Sequence, residues 1–185
     1  MTFIDSALLN LTEAFCRKFQ RLTGRTNVWL AFQLTNFSIV VYFIWGGLYV
    51  FGSRGLSRIL VALLCGGVLY LLTQTIFKVP VESLEAHAYS RVAKGFRNPR
   101  RVRDALLRIA FLTASLMLLV PAVFAFLYLR SLIVPLGYLL VVATTVVLYL
   151  LACDPLAPCM GRVSEWIRSL VPGLARRAPA PVNEG

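Results

Sequence analysis

The reactive groups of this 185-residue chain crowd most densely in the string Cys153-Asp154-Pro155-Leu156-Ala157-Pro158-Cys159. Two thiols and one carboxylate on a short segment could form a disulfide, hold a metal or accept a lipid. A stable disulfide needs an oxidising compartment. A structural metal site wants four donors at regular spacing; Cys16, Asp154 and the lone His87 are further donors but follow no such spacing. The prolines stop a helix and stiffen the chain. The expectation is therefore a rigid docking turn built from Cys153, Asp154 and Cys159, with S-acylation of a juxtamembrane cysteine as the modification such a turn takes.

A second group of polar side chains sits inside otherwise apolar sequence. Gln33, Thr35 and Asn36 follow the start of one apolar run, and Thr73, Gln74 and Thr75 precede the end of the next. Antiparallel helices rising about 1.5 Å per residue bring the two sets within about one turn of level. Gln33, Asn36 and Gln74 then form a polar layer, either as hydrogen-bonded glue between two helices or as a vestibule for a small solute. No Asp, Glu, Lys or His lies in the centre of an apolar run, which argues against carboxylate-driven proton coupling. His87 stands beside charged residues, as surface histidines do. The chain has no H-E-x-x-H and no Walker string, and no motif assigns a family. No cofactor or metal is expected.

The elements that carry these groups follow from composition. The chain is 58% hydrophobic and only 15% charged, with mean hydropathy +0.75, whereas soluble domains average about 25% charged residues. Crossing a hydrocarbon core of about 30 Å takes about 20 apolar residues. Residues 28–51, 56–77, 105–128 and 134–152 qualify, which predicts an all-α integral membrane protein with four spans in two hairpins. Gly52-Ser53-Arg54-Gly55 suits the first tight turn, and Pro135 suits the first turn of the last helix. Proline at position 121 should bend the third span. Counting Arg108, near the start of the third span, with the loop before it, all but three of the 19 Lys and Arg lie before the first span, between the second and third, or after the fourth. The positive-inside rule then puts both termini in the cytoplasm, with a bacterial inner membrane as the expected location.

The cytoplasmic segments read as surface helices. Ile4, Leu8, Leu11, Phe15, Phe19 and Leu22 recur at helical spacing, Thr2 and Asp5 resemble a capping box, and Gly24 is a stop. Pro80 should open a second helix, with Val81, Leu84, Ala88 and Val92 on one face and Gly95 closing it. Asn98-Pro99 reads as an N-cap and first helical residue. Val163, Trp166, Ile167, Leu170 and Val171 outline a third amphipathic stretch. The division is thus 1–27 (surface helix), 28–77 (first hairpin), 78–104 (basic loop), 105–152 (second hairpin), 153–174 (Cys/Pro turn and helix) and 175–185 (disordered tail).

The formal net charge of +11 points to anionic lipid headgroups, contacted by Arg97, Arg100, Arg101 and Arg103; nucleic acid is not an expected partner. The function expected is that of a non-catalytic accessory or assembly subunit on a membrane-protein partner or a second copy of itself. A transporter or channel component using the polar layer is the alternative, and a lipid-modifying enzyme a weaker one.

Overall fold

The computed structural model describes residues 3–50, 56–128, 133–158 and 161–162. Cys159, the 52–55 turn and everything after residue 162 lie outside them, and with them the amphipathic stretch and tail expected there. The described residues form six helices and no strand: α1 (Phe3–Thr23), α2 (Asn27–Val50), α3 (Leu56–Ala93), α4 (Arg100–Arg103), α5 (Ala105–Leu127) and α6 (Ile133–Ala152). Four of them, α2, α3, α5 and α6, are long and apolar enough to cross a membrane.

α6 is the hub. It packs against α5 and α2 along its length and against α1 and α4 near its C-terminal end, while α3 leans on α2. The seams use small side chains: Ala122 and Ala125 are buried on α5. A Cβ at Gly66 would stand 2.2 Å from Ile44 Cδ1, so this glycine lets α3 approach α2. Large apolar side chains of α3 and α5 point outward instead, as they should where lipid tails are as good a solvent as a neighbouring helix.

Proline at position 80 does not open a new helix. α3 continues through it to Ala93, so the boundary expected at 77/78 falls inside one helix about 57 Å long, well beyond a hydrocarbon core of about 30 Å. Proline removes a single i→i−4 bond. Beyond it, burial of Val81 and Ala88 holds the helix to the bundle. The end is a Schellman cap, with Gly95 at φ 74°, its N–H on the Val92 carbonyl and the Phe96 N–H on the Arg91 carbonyl. Gly24 at φ 73° ends α1 in the simpler left-handed cap, donating to the Gln20 carbonyl at 2.8 Å. α5 likewise runs through Pro121.

α1 is turned differently from its sequence pattern. Ile4, Leu11, Phe15 and Leu22 are exposed, and the side facing the bundle carries Asp5, Leu9, Cys16 and Gln20. The buried side thus mixes the polar Asp5 and Gln20 with Leu9 and Cys16, while Arg17, Lys18 and Arg21 are exposed. Packing selects this side because α5, α6 and the turn after α6 offer polar partners there.

Candidate functional site at the basic end of the bundle

Asp5 and Arg108 form the centre of this end. Neither side chain is exposed to any extent (0%). Arg108 Nε and Nη2 donate to the two carboxylate oxygens of Asp5 at 3.0 and 2.9 Å, the bidentate geometry in which charge-assisted bonds are strongest. The remaining donors reach backbone: Nη1 to the Arg100 carbonyl at 3.1 Å and Nη2 to the Arg101 carbonyl at 2.8 Å. Tyr149 donates its hydroxyl to Asp5 Oδ1 at 3.1 Å, and its ring lies 5.6 Å from the guanidinium carbon. One ion pair thereby pins α1, α4, α5 and α6 together. The arginine beside it holds the Asp5 carboxyl below its ordinary 3.8, against the opposing effect of burial. Asp5 is therefore a buried counter-ion; Thr2, the other half of the capping box expected here, lies outside the described residues.

Amides complete the assembly. Thr26 caps α2, its hydroxyl oxygen accepting the Trp29 N–H at 3.1 Å, and also bonds to Glu85 of α3. Asn27 Nδ2 donates to the Leu150 and Cys153 carbonyls at 2.7 and 2.9 Å. Asn98 Nδ2 donates to the carbonyls of Leu151 and Cys153 at 2.8 and 3.3 Å, while its Oδ1 accepts the Arg100 N–H at 3.2 Å. The last carbonyls of a helix lack partners within it; here two asparagines from distant positions supply them. Gln20 grips the Cys/Pro turn by its backbone, accepting the Leu156 N–H at 2.8 Å and donating to the Leu156 carbonyl at 3.0 Å. Beyond the turn, Gly161 abuts α1: a Cβ there would stand 2.2 Å from the Thr23 carbonyl carbon.

Cys153 meets Cys16 of α1 in a buried cluster with Ala31 and Leu150. Its thiol lies 3.3 Å from the Tyr149 carbonyl. Hydrogen bonding from Cys153 holds Cys16 below the usual thiol range, and the same contact, with burial, pushes Cys153 far above it. Cys16 is thus the member of the pair that ionises first. Asp154 accepts the Asn98 backbone N–H at 3.4 Å through Oδ2; its Oδ1 is buried with no partner among the described residues.

The structure brings Gln33 and Gln74 together in a reciprocal amide pair, Gln33 Nε2 to Gln74 Oε1 at 3.1 Å and Gln74 Nε2 to Gln33 Oε1 at 2.7 Å. Tyr70, not singled out by the sequence, donates to Gln33 Oε1 at 2.9 Å. Asn36 stands apart from that pair and takes the Thr73 hydroxyl at 2.5 Å.

The four arginines do not share one surface. Arg97 and Arg101 line a cleft of about 380 Å³ with Arg17, Glu13, Asp154 and Leu156. Within it Glu13 binds both Arg17 and Arg101, at 2.6 and 3.0 Å. Arg103 is exposed and pairs with Asp104 at 3.0 Å. Arg100 faces a smaller cavity with His87 and Arg91. Among the described residues no three His, Cys, Asp or Glu side chains are grouped to hold a metal ion.

Sequence reasoning missed Asp5, Gln20, Asn27 and Arg108 as parts of one assembly. A signal was present in Arg108, a charge a turn inside an apolar run, because an ionisable residue at membrane depth turns inward and seeks a partner. Nothing in spacing pointed to Asp5, which lies 103 residues away. Comparison with family models, curated proteins and solved structures found no match.

Proposed function

We propose that this chain is a non-catalytic accessory or assembly subunit of a membrane-protein complex. In this reading its four spans form two hairpins, α2 with α3 and α5 with α6. The basic end and both termini lie in the cytoplasm of a bacterial inner membrane, and α1 rests at the inner surface with Ile4, Leu11 and Phe15 toward lipid. The exposed Arg97 and Arg103 then meet anionic headgroups, each contributing about 1 kcal/mol.

The observation that carries the reading is the contrast between the two sides of the bundle. Gln33 and Gln74 spend their hydrogen bonds on one another, which favours glue over a solute path at that pair. α3, in contrast, contacts α2 and leaves Leu60, Leu64, Val68, Leu71 and Ile76 exposed. Over its apolar span α3 packs on α2, which leaves much of its circumference there to offer another protein.

Photo-crosslinkers placed at Leu64 and Leu71 in native membranes test this. The expected result is an adduct with the same membrane protein from both positions, abolished by Val68→Lys between them. Lipid adducts alone, with only the monomer recovered after mild extraction, would refute it.

A further inference from the structure

We propose that the cavity between the far end of α3, the start of α2 and the end of α6 is a binding site for a phosphate-type oxyanion. It encloses about 80 Å³, room for several waters or one compact tetrahedral anion and too little for a nucleotide. Val28 and Leu151 form apolar wall, and His87, Arg91, Asn98 and Arg100 supply the polar lining. On α3, Leu84, His87, Ala88 and Arg91 follow the 0, 3, 4, 7 spacing that sets residues on one helix face, so the histidine and arginine reach the cavity together. Arg100 arrives from α4.

Two features distinguish this from a solvated basic patch. No carboxylate lines the cavity. Glu85 is engaged by Thr26 and Glu13 by Arg17 and Arg101. Asp154 faces the Asn98 backbone N–H and lines the separate cleft. In addition, Arg91 Nε is buried and has no acceptor among the described residues. A guanidinium N–H that has lost water and gained no acceptor is destabilising, and a planar fork of donors is the group best matched to an oxyanion's edge. An anion between Arg91 and Arg100 supplies the missing acceptor and the missing charge at once. Inorganic phosphate and the phosphate of an acidic lipid share this chemistry. The site is independent of the accessory-subunit reading, since it needs no protein partner.

The test is thermal unfolding of the full chain in phosphate-free maltoside micelles, at constant ionic strength so that screening does not change. One arm adds inorganic phosphate; the other adds phosphatidate, with diacylglycerol as its uncharged control. Ligand that binds only the folded state raises the melting temperature. The wild type and Lys94→Gln, an exposed lysine outside the cavity, should show the rise with at least one probe; Arg91→Gln and Arg100→Gln should not. A rise with phosphatidate alone assigns the site to lipid, and a rise with inorganic phosphate assigns it to the free anion. Without either probe, Arg91→Gln should melt no lower than wild type, because it removes an unsatisfied group. The inference is overturned by no rise in wild type with either probe, by a rise that survives in Arg91→Gln, or by a lower basal melting temperature in that variant.

Discussion

Replacing Asp5 by Asn removes one charge of a fully buried pair and leaves Arg108 with two backbone carbonyls and a neutral amide. Stranding one member of a buried ion pair costs about 3–5 kcal/mol, and neither side chain of this pair is exposed. Arg108→Met should cost as much, since it strands the carboxylate and also takes the guanidinium donor from the Arg101 carbonyl. The double variant Asp5→Leu/Arg108→Met buries no lone charge, but takes their side-chain partners from the Arg101 carbonyl and the Tyr149 hydroxyl. Its cost should be about 1–3 kcal/mol, far below the sum of the singles. Equilibrium unfolding by SDS titration in mixed micelles, followed by circular dichroism, measures all three. The pH dependence follows with its sign. Asp5 is held below its ordinary 3.8 in the folded chain, so its contribution is complete above that pH and is lost as pH falls through the lower folded value. Asp5→Asn should abolish this acid-side dependence, its stability being already lowered by the full cost at neutral pH. Single variants that each cost under about 1 kcal/mol and add would mean the pair is solvated, and the reasoning would fail.

Three further outcomes are expected. Gln33→Leu or Gln74→Leu alone should lower stability by about 0.6–1.7 kcal/mol, with the double variant costing less than the two combined; a chain that conducts a solute and loses flux in the double variant would restore the transporter reading. Within the buried pair, hydrogen peroxide that gains access should oxidise Cys16 before Cys153, as the readier thiolate of the two, giving a sulfenic acid and water. Cys153 then displaces a second water to give a Cys16–Cys153 disulfide, read by peptide mass spectrometry; a Cys153–Cys159 link as the main product would contradict the packing. Gly66→Ala should cost about 1–3 kcal/mol by forcing its methyl into Ile44, whereas Gly67→Ala, with open space at its Cβ, should be silent; equal effects would dismiss the close approach.

What the sequence determined by itself was local or set by a simple length rule. Four apolar runs of membrane length needed no tertiary information, because a helix in hydrocarbon satisfies its own backbone. Gly24 and Gly95 marked the two helix ends, since a left-handed cap favours glycine. The level of Gln33 with Gln74 followed from helix rise alone. Pro80 misled, because one missing hydrogen bond does not end a helix whose continuation is packed.

Tertiary structure decided the rest. Hydrophobicity orients a helix only where water is the alternative, and in the membrane-surface setting proposed for α1 its apolar side would have lipid as readily as protein to face. Which side turned inward was settled by Asp5, Cys16 and Gln20 finding Arg108, Cys153 and Leu156 on segments more than a hundred residues away. Such polar matches are specific in three dimensions and leave no periodic trace along the chain. The cavity beneath Arg91 and Arg100 is of the same kind: each arginine reads as one more basic residue in a loop until the fold sets them side by side with no acid between them.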